Sequence, residues 1–305
     1  MLSLELRDNN IEADGGFSVF SRQRALLRLV QNEGGSVSRL RLVKLAFLLS
    51  QNSCPRTAAY EFVPYKRGPF SFTLYHELRS LERAGWLVEK ELDFVLTELP
   101  DLETAYLDRE FLALIDSTCG RRRAVPTSSL VDEVYRDYPW FTLNAEIVQK
   151  RAVARPISAP AVYTVGYEGI SVDGLLNRLL RAGIEQLVDV RSNPIARRYG
   201  FHKSTLSRLC GDVGIEYVHF ASLGVPSAWR AELSDRASYE RLFERYVDDI
   251  LPKQEAAIAQ VCRLVAARSS ALMCMEANHE SCHRSRLAIK VSQKTSLPVV
   301  ELRTI

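Results

Sequence analysis

From Val162 onward the chain alternates short apolar runs with amphipathic stretches of helical spacing, and that alternation leaves few folds open. "AVYTVGY", "IEQLVDVR", "IEYVHF", "ALMCME" and "LPVVEL" each have the length of one buried strand. Between them stand "SVDGLLNRLLRAG", "KSTLSRLCGDVG", "SYERLFERYVDDILP" running into "EAAIAQVCRLVAAR", and "CHRSRLAIKVSQ". This order predicts a three-layer α/β domain with a mostly parallel sheet over residues 160–305. In such a sheet the ligand lies beyond the C-terminal ends of the strands. "GYEG", "RSNPIARRYGFHK", "ASLGVPSAW" and "EANHESCHR" are therefore expected around one crevice.

Residues 1–155 follow a different grammar and form a separate, mainly helical domain. Residues 1–18 are polar and acidic and read as frayed. A helix is expected from Ser21, as N-cap, with Leu26, Leu27, Leu29 and Val30 on its apolar face, stopped by Gly34-Gly35. Ser38 opens a second helix carrying Leu42, Leu45, Ala46 and Leu49. Pro69 suits the first turn of a third, with Leu74, Leu78 and Leu81 at helical spacing and Gly85 closing it. "WLVEKELDFVLTEL" then reads as a hairpin. Three helices and a hairpin outline a winged helix-turn-helix, in which the third helix would turn Thr73, His76, Arg79 and Arg83 toward DNA, with Lys66 and Arg67 just before it. Glu77 and Glu82 on the same helix argue against DNA contact, and an oligomerisation or partner-binding module is the other reading. Two more helices are expected in 100–150. "QKRAVARPISAPA" then reads as a linker ending near Pro160.

"RLVKLAFLL" followed by "FVPYKRGPFSFTLYHELRSLERAGWL" resembles the N-terminal antitoxin-type domains of the SocA/Panacea kind. The resemblance implies a recognition module associated with phage defence or toxin biology.

Charge matters here by its placement. The net charge of the 305 residues is only +3, yet Arg191 to Gly211 holds Arg191, Arg197, Arg198, Lys203 and Arg208, with His202, and no acid. Arg121–Arg123 and the series Arg284, Arg286, Lys290, Lys294 are further local excesses, and such patches can bind phosphates. Six cysteines (Cys54, Cys119, Cys210, Cys262, Cys274, Cys282) are too sparse for a disulfide scaffold and point to a reducing, cytoplasmic setting. The N-terminus lacks the pattern of a signal peptide, and no apolar run is long enough to span a bilayer, so no membrane is expected as a partner.

The C-terminal half carries a specific combination of markers. They are Gly166-Tyr167 after the first strand, Asp189-Val190-Arg191 with Pro194 after the second, and Gly214-Ile215, Tyr217 and Leu223-Gly224 around the third. Cys274, Glu276 and Cys282-His283-Arg284 follow the fourth. On these residues the stretch 161–303 resembles the domain of unknown function 488 family. The resemblance implies a fold and a site, and no reaction.

The chemistry comes from the residue types. Arg191 leaves a strand into the acid-free loop, and its planar fork suits a phosphate or carboxylate. With Ser281 as N-cap, Cys282, His283 and Arg284 open a helix whose N-terminus attracts anions. The phosphate or nucleic-acid contacts are thus assigned to Arg191, Arg197, Arg198, His202, Lys203, Arg284 and Arg286, with Arg79 on the third helix. The rival reading pairs Arg191 and Arg284 with Asp189 and Glu276 in a buried network. Glu276, two residues beyond Cys274, would activate water or stabilise an oxocarbenium ion, fenced by aromatics such as Tyr167 and Trp229. The candidate catalytic residues are Glu276, Asp189 and Tyr167, supported by Cys274, Cys282 and His283.

Two other chemistries are open to these residues. Cys282 at a helix N-terminus beside His283 and Arg284 would have a lowered thiol pKa. "LVDVR" also resembles the second strand of the rhodanese fold, but no glycine lies between Cys274 and Arg286 to build a rhodanese-type anion loop. Zinc on Cys274, His279, Cys282 and His283 fits by residue type, whereas the spacing matches no recognised finger or ribbon. No metal and no cofactor are expected.

The function expected is a nucleic-acid-acting enzyme, with DNA favoured as partner and hydrolysis of an N-glycosidic bond, as in base excision, favoured as reaction. The alternatives are a non-catalytic DNA-binding regulator or antitoxin-type protein, and a cysteine-dependent sulfurtransferase or phosphatase-like enzyme. A homodimer is compatible with either.

Overall fold

The computed structural model describes residues 21–53, 59–97, 109–146, 151–230 and 235–303. The chain divides into two compact units, Met1–Val153 and Ala154–Ile305. Cys54, the residues before Ser21, the start of the "DLETAYLDREFLALIDSTCG" helix and part of the expected linker lie outside the described residues.

The N-terminal unit opens with α1 (Ser21–Asn32), β1 (Ser36–Ser38) and α2 (Arg39–Asn52). Ser38 is the N-cap of α2, its hydroxyl accepting from Arg41 N. A hairpin of β2 (Val63–Tyr65) and β3 (Gly68–Phe70) precedes α3 (Phe72–Arg83). Pro69 is therefore a strand residue facing Pro64, and Ser71 caps the third helix. The helix starts later than Pro69 because Ser71 supplies a side-chain acceptor for Leu74 N, which proline cannot. β4 (Leu87–Lys90) and β5 (Asp93–Leu96) form the expected hairpin, and β1 joins it in the order β1-β5-β4. α4 (Arg109–Gly120) and α5 (Thr127–Asp137) follow. Leu26, Leu29, Leu42, Leu45, Phe47, Leu74, Leu78 and Leu81 meet in one core with Phe94, Ile115 and Val134. The third helix and wing thus take the winged-helix order.

The C-terminal unit runs β6 (Val162–Gly166), α6 (Val172–Arg181), β7 (Gln186–Asp189), α7 (Lys203–Asp212) and β8 (Glu216–His219). It continues through α8 (Arg236–Arg245), α9 (Glu255–Ala267), β9 (Ser270–Cys274), α10 (His283–Thr295) and β10 (Val299–Glu301). A π turn, Tyr246–Ile250, and a 3-10 turn, Leu251–Gln254, join α8 to α9. The five strands form one parallel sheet in the order β10-β6-β9-β7-β8. On one face Val162, Val188, Val190, Leu272 and Cys274 pack with Leu242, Phe243, Ile258, Val261, Leu287 and Val291. The alternate strand residues Tyr163, Val165, Leu187, Ala271 and Met273 are buried too, as are the apolar residues of α6 and α7. Both faces are covered, which is why these strands read as continuous apolar runs.

Among the described residues no helix is long and apolar enough to cross a membrane.

Candidate active site

β9 lies between β6 and β7, so the loops leaving the C-terminal ends of these three strands are neighbours. Register aligns Gly166 with Cys274, and Asp189 with both Met273 and His219. The expected crevice residues therefore start from one edge of the sheet, and they separate into two groups.

The first group is sealed. Asp189 is fully buried, and both its carboxylate oxygens accept from the Arg191 guanidinium, at 2.5–3.1 Å. Tyr217 Oη donates to Asp189 Oδ2 at 2.6 Å, and Arg191 N donates to Oδ1 at 3.0 Å. Arg191 Nη1 donates to Tyr167 Oη and to the Phe201 carbonyl, each at 3.0 Å. Tyr167 in turn stacks on Phe201 with centroids 4.1 Å apart. Burial alone would lower the Arg191 pKa, but the hydrogen-bonded Asp189 outweighs it and holds the guanidinium charged. The fork expected to face a phosphate is thus turned inward, and of the two readings of Arg191 the geometry is that of the buried network. Asp189 and Tyr167, expected to be catalytic, belong to the same network, because a carboxylate buried this deeply needs all its acceptor sites filled. Tyr217, a sequence marker with no role assigned, and His219, whose Nε2 donates to the Arg191 carbonyl at 2.8 Å, complete it. Tyr217 of the "GIEY" run was the available signal.

Arg284 is also enclosed, with no exposed surface. Its Nη1 donates to the Glu276 carbonyl at 2.5 Å and its Nη2 to that of Ala277 at 3.2 Å. It clamps the backbone of the loop after β9 and does not pair with the Glu276 carboxylate. Arg286 is half-buried, 5.7 Å from the Phe243 ring. In the other unit Arg79 is bound to Glu82 and Glu89, so its charge is met by acids of α3 and the wing. Arg197, Arg198, His202 and Lys203 are exposed on the loop after β7 and the start of α7, as a polyanion contact requires.

The second group is a cluster of chemically active side chains. Cys274 ends β9. Cys282, not Ser281, takes the N-cap position of α10 with extended backbone, and His283 is the first helical residue. These three are buried to within 1% of full enclosure, and Glu276 is the member that keeps some exposed surface. The thiols of Cys274 and Cys282 lie 3.0 and 2.9 Å from the same oxygen, Glu276 Oε2. His283 Nδ1 is 3.7 Å from Cys274 Sγ and 3.9 Å from Cys282 Sγ, and Nε2 is 3.1 Å from the Val190 carbonyl. The four donor atoms all lie within 4.8 Å of one another. Burial, then the neighbouring Cys274, pushes the Glu276 carboxyl up. The hydrogen bond from Cys282 holds the Cys274 thiol well below its ordinary value, and burial pushes Cys282 up. His279, expected beside the cysteines, is outside the cluster, with Nδ1 3.1 Å from Thr164 Oγ1. The sequence already places Glu276 with Cys274, Cys282 and His283; the structure differs only in completing the donor set with Glu276 and not with His279.

Two glycines of the sequence markers permit these approaches. A Cβ on Gly166 would lie 2.0 Å from the Glu276 carbonyl oxygen, and one on Gly224 would lie 2.0 Å from Ser192 N. Each is a place where one loop's backbone passes against another, which any side chain would block.

Residues 171–290 match the family described as Domain of unknown function DUF488. The match lies within the C-terminal unit and includes Asp189, Arg191, Glu276 and the Cys282-His283-Arg284 run. Comparison with curated proteins finds no significant match, and neither does comparison with solved structures.

Proposed function

We propose that the C-terminal unit is a hydrolase acting on nucleic acid, with cleavage of an N-glycosidic bond as its favoured reaction. The observation that carries this reading is the position of Glu276. It keeps some exposed surface just beyond the end of the central strand, whereas Asp189 and Tyr167 are sealed. Glu276 would take a proton from the attacking water and deliver one to the departing base, while positive charge develops on the sugar. The exposed cations Arg197, Arg198, His202 and Lys203 follow the neighbouring strand β7 and supply a grip for phosphates.

The test is incubation of the full chain with damaged, modified and plain oligonucleotides, followed by alkali to cleave at abasic sites. Wild type is expected to cleave, and Glu276→Gln to lose at least about 10²-fold in rate while still binding. Binding without cleavage on any substrate would favour the regulator reading. Turnover that survives Glu276→Gln but not Cys282→Ser would favour the thiol enzyme.

A further inference from the structure

We propose that Cys274, Cys282 and His283 hold a Zn²⁺ ion, with Glu276 facing the ion's fourth position. Ion binding does not depend on the proposed reaction. The part given to Glu276 beside the ion does rest on that reading, and deepens it.

The surroundings of the imidazole fix its tautomer. A backbone carbonyl can only accept, so the Val190 oxygen 3.1 Å from His283 Nε2 places a proton on that nitrogen. In the neutral ring Nδ1 is then a bare lone pair, and it points at the two sulfurs. A carbonyl on the far nitrogen is the arrangement that orients metal-bound histidines. The ring is further held by Tyr246, 5.3 Å away and edge-on, whose hydroxyl donates to the Leu223 carbonyl.

The spacings match an ion of zinc's size. With tetrahedral bonds of about 2.3 Å to sulfur and about 2.0–2.1 Å to nitrogen, sulfur and nitrogen stand about 3.6 Å apart. Here the two separations are 3.7 and 3.9 Å. The carboxylate behaves differently. A directly bound oxygen would stand about 3.5 Å from each sulfur by the same geometry, and Glu276 Oε2 is closer, at 3.0 and 2.9 Å. It stands where an ion's water would need to be, and of the four it is the one that is not fully buried. The three buried donors are the ligands and Glu276 is the neighbour. Two thiolates and an imidazole select a borderline-soft ion such as Zn²⁺.

The chemistry balances. As the ion enters, any proton still on either sulfur passes to solvent, two Zn–S bonds and one Zn–N bond form, and no electron changes hands. Two thiolates cancel the ion's charge and the imidazole stays neutral, so the enclosed centre carries no net charge into a low dielectric. The N-terminus of α10 adds a favourable field at Cys282. With three protein ligands the fourth position is left for water, which Glu276 could deprotonate.

The experiment uses the full chain. Metal content is measured by mass spectrometry after growth with zinc, and the stripped protein is titrated with Co²⁺. The expected results are one zinc per chain, together with thiolate-to-cobalt charge transfer and intense four-coordinate visible bands. Cys282→Ser and His283→Ala should lose stoichiometric zinc, whereas Glu276→Gln, His279→Ala and Cys119→Ser should keep it. The cobalt titration needs only wild type, so a variant that fails to fold does not block the test. Wild type with neither zinc nor cobalt bands would overturn the site, as would bands that survive in Cys274→Ser/Cys282→Ser. Zinc without base excision would uphold the site and remove the proposed reaction. Excision by the stripped protein at the wild-type rate would leave the site standing and overturn the part given to Glu276 beside the ion.

Discussion

Arg191 shows how the same residue type serves two opposite ends. An arginine leading into a basic loop suggests an anion grip, yet its guanidinium is enclosed by Asp189, Tyr167 and the Phe201 carbonyl. Arg191→Ala would leave the fully buried Asp189 carboxylate without its cation. The expected loss of stability is about 3–5 kcal/mol, read from urea unfolding followed by a probe in the C-terminal unit. Arg191→Lys should rescue little of it, because a single ammonium cannot reproduce the fork. Lys44 offers a second test at this scale. It is 1% exposed, donates to the Arg67 and Pro69 carbonyls, and burial lowers its pKa to about 7. Between pH 7 and its ordinary value of 10.5 the unfolded chain holds a proton that the folded chain has shed. Stability of the N-terminal unit should therefore rise with pH across that window and be flat in this respect below it. The difference between wild type and Lys44→Met in thermal or denaturant unfolding, measured from pH 7 to 9, should grow in favour of wild type as pH increases. An unchanged difference would mean that Lys44 stays protonated throughout.

Among the elements, the loop after β9 depends on close approach. Gly166→Ala would press a methyl group against the Glu276 carbonyl that Arg284 also grips. Overpacking of this kind costs roughly 1–3 kcal/mol and should displace Glu276, so the variant is expected to lose excision activity while still folding. The loop after β7 has the opposite character, with its cations turned outward. If it grips phosphates, Arg197→Ala/Lys203→Ala should flatten the dependence of log K on log salt by roughly 1.4–1.8, as two lost contacts require. Arg79→Ala on α3 should leave that slope nearly unchanged, since its guanidinium is already bound to Glu82 and Glu89.

Across the whole molecule, each unit has a hydrophobic core of its own, one around Phe47 and Leu45, the other around Val188 and Leu272. Residues 154–305 expressed alone should therefore give a cooperative thermal transition by circular dichroism. A broad, non-cooperative melt would show that this unit needs the rest of the chain. The proposed chemistry belongs to this unit alone, so its excision activity and zinc content should both persist in the isolated fragment.

By itself the sequence determined the order of the main helices and of the C-terminal strands, though not β1 or the β2–β3 hairpin, because hydrophobic periodicity and capping residues act within a few positions of one another. Ser38 as a cap, the β4–β5 hairpin and the five strands of the parallel sheet were legible for that reason. Pro69 fits a helix start in the sequence and stands in β3, because its favoured backbone angle suits a strand edge as well as a first helical turn. What only the tertiary structure decided was which charges face inward and which donors meet. Asp189 and Tyr217 are far apart in the chain and share a bond only because β7 pairs with β8. Cys274, Glu276, Cys282 and His283 converge because the chain turns back from the end of β9 into α10, which brings four donors within 4.8 Å across a loop whose spacing matches no metal motif. Local patterning reports what each segment can be, whereas burial and convergence depend on contacts between segments that no single stretch contains.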